Sequence, residues 1–335
     1  MRTTTVQFLW RPEEEIRLYF KQQLKDVKGL VLEFPTTEEY KNKSFPKLSN
    51  ANVVIGWRFT ESMIPQLSQC QLIINPGAGV RQVVQFFQKH HLQHQIKLCN
   101  SHGNAYASAQ HALALLLALS NKVVRHHNFL QGGKWRTGEK EGKSILLKNR
   151  KIGFLGYGAV NQKVHQFLSG FNLDFYALRS KWKETPNELK TYYPNQLNDF
   201  LNEIDVLIVA LPHTESTENL IGQEELKLLG KNALLVNIGR GPVINEKALY
   251  NALNNNVISG AAIDVWYNYR PEENEQGQKF PFNYPFNKLE NMVLSPHRAA
   301  SPMDDIYRFD DCIENIIRFA NQKTLVNVVN ISEGY

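Results

Sequence analysis

The feature that most restricts the fold of this chain is an alternation. Short runs of β-branched and other apolar residues are separated by longer segments with helical spacing. Val53–Gly56, Leu72–Asn75, Lys151–Gly156, Asp174–Leu178, Val206–Leu211, Ala233–Ile238, Gly260–Val265 and Met292–Ser295 read as buried parallel strands. Val160–Leu168 and Lys247–Leu253 read as helices between them. Strands buried on both faces lose the polar alternation of a half-exposed sheet, and parallel neighbours require a crossover helix. The pattern predicts open, doubly wound α/β sheets. A length of 335 residues suits about two domains. Hydrophobic residues at 42% and charged residues at 21% exclude a largely disordered chain.

Other classes fall away on simple grounds. The richest apolar run, Ala112–Leu119, is far short of the roughly 18–20 residues of a membrane span. Met1–Trp10 lacks the pattern of a signal peptide, so a cytoplasmic protein is expected. Cys70, Cys99 and Cys312 have neither disulfide-framework nor metal-ligand spacing, so no metal site is expected. The net charge of +6 admits an anionic partner. There is no Lys/Arg run or basic-aromatic stripe to make that partner nucleic acid. Tyr106–Leu130 reads as one long apolar helix, buried or shared with a second subunit and ended by Gly132–Gly133. Arg270–Pro285 reads as a long loop, and loops of that length are often functional.

The sharpest local signal is Lys151-Ile-Gly-Phe-Leu-Gly156-Tyr-Gly158-Ala159-Val160-Asn161. It closes a strand and opens a helix, the context a dinucleotide-binding turn needs. Gly156 permits the tight turn, Gly158 lets backbone approach a pyrophosphate, and the helix N-terminus offers free N–H groups. Asn161 departs from the Gly or Ala of that fingerprint, and a glycine-bearing turn of any α/β protein is the other reading. After the next strand, where NAD sites usually place an acidic residue, stand Arg179, Ser180 and Lys181. Two cations around a hydroxyl suit a 2′-phosphate, which favours NADP over NAD, NAD remaining possible. Solvated loop charges are the alternative.

Four further motifs follow in order: Val-Ala-Leu211-Pro212-His-Thr-Glu-Ser-Thr217, Leu-Val-Asn237-Ile238-Gly239-Arg240-Gly241, Gly260-Ala-Ala-Ile-Asp264-Val-Trp266, and Leu-Ser-Pro296-His297. Together with the glycine turn they resemble the D-isomer-specific 2-hydroxyacid dehydrogenase family over at least residues 53–320. The resemblance implies a Rossmann-type NAD(P)-binding domain inserted into a discontinuous flavodoxin-like substrate domain. The substrate domain would comprise 1–103 and 298–335, and the dinucleotide-binding domain 104–297. Helices near Asn104 and over Asp304–Asn321 would carry the crossings. It implies a homodimer joined through the Tyr106–Leu130 helix and the Gly133-Lys-Trp135 arm. It also implies hydride transfer between NAD(P)H and a small anionic 2-keto or 2-hydroxy acid, of the glyoxylate or hydroxypyruvate type.

By the same resemblance Arg240 is the catalytic arginine and His297 the acid/base histidine. Gly156, Gly158, Ala159, Val160, Arg179, Ser180, Lys181, Leu211, Pro212, Thr217, Ile238, Gly239 and Asp264 would line the cofactor site. Asp264 would support the nicotinamide end or the histidine's charge, although a capping role would also explain it. Ala78 and Gly79, in Asn75-Pro-Gly77-Ala78-Gly79, would hold the substrate carboxylate on backbone N–H groups. The other nine histidines read as solvated or structural.

One departure bears on the chemistry. Relatives carry a Glu five residues after the Asp264 position, paired with the catalytic His; this chain has Tyr269. Three readings stay open. Glu272 or Glu273 replaces it from the loop, Tyr269 orients a histidine of lower pKa, or the activity has been lost or changed. The formate-oxidising branch uses Gln there, so the missing Glu alone does not mean inactivity. The loss reading leads to an alternative function, a cofactor-sensing protein of the corepressor type. Gln110 replaces a usual Glu before His111, and Arg298 follows His297, where a small or apolar residue is commoner. Arg298 would disfavour imidazolium and is placed to meet an anionic substrate tail.

Overall fold

The structure is a computed structural model and describes residues 3–136, 142–182, 184, 188–302 and 305–335. The chain separates into two compact units, one of Met1–Asn104 with Met303–Tyr335 and one of Ala105–Pro302.

The first unit holds β1 (Thr4–Phe8), β2 (Leu30–Glu33), β3 (Val53–Ile55), β4 (Leu72–Asn75) and β5 (Lys97–Asn100). They form one sheet in the order β2-β1-β3-β4-β5, with every pairing parallel. That is the flavodoxin-like order. β3 and β4 lie at the centre and are buried along their length, as their unbroken apolar runs require. The helix Asp310–Ala320 buries Cys312, Ile313 and Ile316 in the same core as Phe8, Phe20 and Ile74. Asp304, the expected start of a crossing helix, lies outside the described residues.

The second unit holds β6 (Lys151–Leu155), β7 (Asp174–Leu178), β8 (Lys190–Tyr192), β9 (Val206–Val209), β10 (Leu234–Asn237), β11 (Gly260–Ile263) and β12 (Met292–Leu294). Their order is β12-β11-β10-β9-β6-β7-β8, again all parallel. The order reverses between β6 and β9, the Rossmann switch point, where ligands bind beyond the carboxyl ends of the strands. Two apolar cores cover the two faces of this sheet. One includes Leu155, Leu207, Leu235 and Ile263, and the other Phe154, Ile208, Val236 and Ala262.

The apolar stretch read as one helix is two, Ala105–Ser120 and Val123–Gln131. Lys122 adopts the left-handed conformation (φ 53°) between them, and the Asn121 side chain donates back to the Leu117 carbonyl. Hydrophobic spacing does not register such a break, because both halves keep their apolar faces. Val160–Leu168 and Lys247–Leu253 are helical as read, with capped bounds of Ala159–Leu168 and Glu246–Asn254. No helix among the described residues is long and apolar enough to cross a membrane.

Candidate active site

The site in the second unit starts at the turn after β6. Gly156 has φ +84°, a conformation that L side chains rarely adopt, and a Cβ there would lie 2.7 Å from Leu211 Cδ2. Gly158 caps the helix Ala159–Leu168 with extended backbone and no side-chain bond, and a Cβ added there would meet nothing within 4 Å. The first N–H groups of that helix therefore open onto a cradle with room for a phosphate. Asn161, the departure from the fingerprint, does not fill the cradle. It is buried, and its amide donates to Gly156 O at 2.5 Å and Ile208 O at 3.3 Å, tying the turn to β9. Arg179, at the end of β7, donates from Nη1 to Tyr157 O at 3.2 Å, so its guanidinium stands against the same turn. Ser180 and Lys181 follow it on the exposed surface. The residues present thus fit a dinucleotide: Gly156–Val160 would hold its pyrophosphate, with Arg179, Ser180 and Lys181 beyond β7 beside its ribose.

After β9 the chain runs through Leu211 and Pro212. Thr217 closes this turn, donating from Oγ1 to Pro212 O at 2.7 Å and accepting from Thr214 N at 2.8 Å. Ile238 and Gly239 follow β10. A Cβ on Gly239 would fall 2.7 Å from Leu211 O, and one on Gly241 would fall 2.4 Å from Trp266 O. The two glycines flanking Arg240 are therefore packing requirements, which wedge the arginine between the loops after β9 and β11. Asn237 braces the same segment, accepting from Gly239 N and donating to Arg240 O, both at 3.1 Å. Arg240 Nη1 donates to Gly239 O at 2.6 Å.

Asp264 is the hub. Its carboxylate is 1% exposed. Oδ1 accepts from Ser295 Oγ at 2.5 Å and Arg298 N at 2.7 Å, and Oδ2 accepts from Ala299 N at 3.1 Å. Ser295 Oγ also lies 2.9 Å from His111 Nε2, itself 3.4 Å from Asp264 Oδ1. Since Ser295 has one hydroxyl proton and gives it to Asp264, His111 Nε2 must carry the proton of its bond to Ser295. Burial pushes the Asp264 carboxyl up, but bonds from His111, Ser295 and the two N–H groups more than offset this. Asp264 is consequently held below the usual carboxylate range, as the anion.

His297 Nδ1 faces Asp264 Oδ2 at 3.9 Å. His297 has φ +59°, and that left-handed backbone directs the next two N–H groups onto Asp264. The Tyr269 ring meets the imidazole edge-on, with centroids 5.1 Å apart. Burial, then the charges of Arg240 and Arg298, outweigh the pull of Asp264 and set the His297 pKa below the ordinary histidine value. Burial raises that of Tyr269, so the phenol stays neutral at pH 7. Glu272 is exposed, and no bond joins it to His297 among the described residues; Glu273 pairs with Lys279 at 3.0 Å. The carboxylate against His297 is that of Asp264.

In the first unit, Asn75 Nδ2 donates to Gly77 O at 2.5 Å and Gly79 O at 3.3 Å, and Asn100 Nδ2 donates to Ala78 O at 3.1 Å. Two buried amides thus occupy three successive carbonyls of the turn that contains Ala78 and Gly79. Sequence reasoning missed these two asparagines, and it missed Ser295 and His111. Of the two readings given to the other histidines, solvated or structural, His111 takes the second: it completes the Asp264 network. Its sequence signal was the Gln110-His111 pair at the entry of the Ala105–Ser120 helix.

A family model described as "D-isomer specific 2-hydroxyacid dehydrogenase, NAD binding domain" matches residues 113–299. The glyoxylate reductase of Aeropyrum pernix is 35% identical over 231 residues, covering 67% of this chain and 66% of that protein. The glyoxylate reductase of Pyrococcus furiosus is 33% identical, also over 231 residues, covering 67% of this chain and 66% of that protein. The chain thus aligns with just under two thirds of the length of these curated relatives. Among solved structures, a D-isomer specific 2-hydroxyacid dehydrogenase from Xanthobacter autotrophicus Py2, in complex with NADPH and MES, superposes with a TM-score of 0.80. It shares 20% identity over the whole of both chains. A family model that covers more than half of the sequence agrees with the two sheet orders and with the glycine turn. This chain belongs to the D-isomer specific 2-hydroxyacid dehydrogenase family.

Proposed function

We propose that the chain reduces a small 2-keto acid such as glyoxylate or hydroxypyruvate, using NADPH in preference to NADH. The observation that carries this reading is the convergence of His297, the buried Asp264 anion and the Arg240 charge beyond the carboxyl ends of β10, β11 and β12. The reaction needs an anchor for the carboxylate, polarisation of the keto oxygen and a proton for the developing alkoxide. The planar fork of Arg240 meets the first two needs. With Nδ1 turned to Asp264, His297 has Nε2 left to deliver the proton. Asp264 stabilises the imidazolium before that transfer, and Tyr269 holds the ring in place edge-on. A bound nicotinamide cofactor would supply the hydride to the keto carbon.

The NADPH preference is supported by Arg179 against Tyr157 and by the absence of an acidic residue among Arg179, Ser180 and Lys181. The relatives' glyoxylate reductase activity supports the substrate class. We assign the carboxylate-binding role to Ala78 and Gly79, whose turn has its carbonyls engaged elsewhere. In the same reading 104–297 is the cofactor domain and 1–103 with 298–335 the substrate domain. We infer a homodimer, supported by the exposed apolar side chains of Val123, Leu130, Trp135 and Leu146. The test follows oxidation of NADPH and of NADH with glyoxylate, hydroxypyruvate and pyruvate. Turnover with NADPH favoured is expected. Cofactor binding without turnover of any acid would overturn the reading and leave a sensor of the corepressor type.

A further inference from the structure

His297 carries an arginine on its C-terminal side whose charge nothing in the reaction requires. The backbone of Arg298 is fixed, because its N–H is bonded to Asp264 Oδ1 at 2.7 Å. Its side chain is exposed, and among the described residues its guanidinium has no carboxylate partner and no hydrogen bond. The Asp264 carboxylate, to which its own N–H is bonded, is buried and also takes bonds from Ser295 and Ala299 N. Among the described residues the charges that act on the histidine are those of Arg240, Arg298 and Asp264, with Tyr269 neutral beside it. With His297 protonated for reduction, three cations stand against one anion, and a 2-keto monoacid would leave one positive charge uncompensated.

We propose that Arg298 is a specificity-determining residue that binds a second carboxylate, so that the preferred substrates are 2-keto dicarboxylic acids. The assignment rests on the reductase reading above and narrows its substrate class. The chemistry fits on three counts. A guanidinium beside a carboxylate forms a charge-assisted bond, about twice as strong as a neutral one. Arg presents this fork at the end of a flexible stem, from a backbone tied to Asp264 through its own N–H. A second carboxylate would also cancel the charge that opposes imidazolium formation at His297. The acid that binds best is then the acid whose presence readies the proton donor.

The matched pair is 2-ketoglutarate and 2-ketovalerate, which have five carbons each and differ in the terminal carboxylate. Wild-type protein is expected to favour 2-ketoglutarate by about tenfold or more in kcat/KM, the scale of one charge-assisted bond. Arg298→Gln should bring that ratio close to one. Turnover of 2-ketovalerate by this variant should rise, since one opposing charge on His297 is gone. Arg298→Lys should retain part of the preference, and raised salt should diminish it. Calorimetric titration of both acids into the NADP+ complex gives the same comparison without turnover. A wild-type ratio at or below one, or a ratio that Arg298→Gln leaves in place, overturns the assignment while turnover of glyoxylate preserves the reductase reading. Failure of every keto acid, glyoxylate included, overturns both.

Discussion

Asp264 Oδ2 stands 3.9 Å from His297 Nδ1, too far for a hydrogen bond, while Asp264 Oδ1 is 2.5 Å from Ser295 Oγ. The carboxylate is committed to the backbone that shapes the site, and it reaches the histidine through its charge. The consequence for His297 is a pKa set by competition. Burial, Arg240 and Arg298 pull it down and Asp264 pulls it up, with the downward pull prevailing. Reduction needs imidazolium, so kcat/KM for a keto acid should rise as pH falls through a pKa below 6.5 and level off beneath it. Asp264→Asn removes the main upward influence. The limb should move to lower pH still, and reduction at pH 7 should fall about tenfold for every pH unit the limb moves. A pH profile of kcat/KM checks this; a limb that stays in place removes Asp264 from the proton transfer.

Arg240 is expected to be needed as an arginine. Its position depends on Gly239 and Gly241, and its fork can contact a carboxylate and a keto oxygen together. Lys at this position keeps the charge and loses the paired geometry. Arg240→Lys should reduce kcat/KM by about 10²-fold, comparable with loss of one oxyanion-stabilising donor. Steady-state kinetics with glyoxylate decide it, and a loss of less than a few-fold would remove Arg240 from the reacting centre.

The glycine on the far side of Arg240 allows a structural test. A Cβ at Gly241 would lie 2.4 Å from the backbone oxygen of Trp266, whose indole donates to Ser295 O at 2.8 Å. Gly241→Ala must therefore push apart the loops carrying Arg240 and Asp264. The expected cost is about 1–3 kcal/mol, seen as a fall in Tm of several degrees, together with a loss of activity. Activity kept at wild-type level would show that the packing of this loop does not position the arginine.

Cofactor choice is tested at the end of β7. Arg179 is anchored on the glycine turn through Tyr157 O, and a 2′-phosphate there would gain a charge-assisted bond. Arg179→Ala should weaken NADPH binding by about tenfold and leave NADH little changed. Calorimetric titration of both cofactors measures the ratio. Equal losses for the two would show that Arg179 supports the turn and does not read the phosphate.

The central strands were legible because burial on both faces writes an unbroken apolar run, as in Val206–Val209 and Leu234–Asn237. β2, β5 and β8 were not: all three lie at sheet edges, and polar residues cut their apolar runs short, Glu33 in β2, Lys97 and Asn100 in β5, and Lys190 and Thr191 in β8. In Lys190–Tyr192 only Tyr192 is buried. β1 was missed because it opens on Thr4 and Thr5 and buries a polar Gln7, which bonds to Phe8 O and Glu33 O. Within the site, motifs pointed to Arg240, His297 and Asp264 because each sits in a contiguous signature. His111 lies 184 residues before Ser295, and no local pattern announces a partnership formed only when β12 packs beside that helix.

Tyr269 is the position at which the three readings of the missing glutamate are tested. Its ring lies edge-on to His297, which is orientation without charge, since a phenol is neutral at pH 7. Tyr269→Phe keeps the ring and should alter kcat/KM by only a few-fold, with the pH limb unmoved. Tyr269→Glu places a carboxylate where relatives have one, and a nearby anion favours imidazolium by about one pKa unit or more. The reductive limb should then shift upward, and turnover at pH 7 to 8 should exceed that of the wild type. The opposite sign holds for oxidation of the 2-hydroxy acid, which needs the neutral imidazole and should begin at higher pH. Profiles in both directions for Tyr269→Phe, Tyr269→Glu and Glu272→Gln separate the possibilities. A shift in Glu272→Gln would mean that the loop carboxylate reaches the histidine during turnover, whereas a shift confined to Tyr269→Glu would leave Asp264 as its only anionic neighbour.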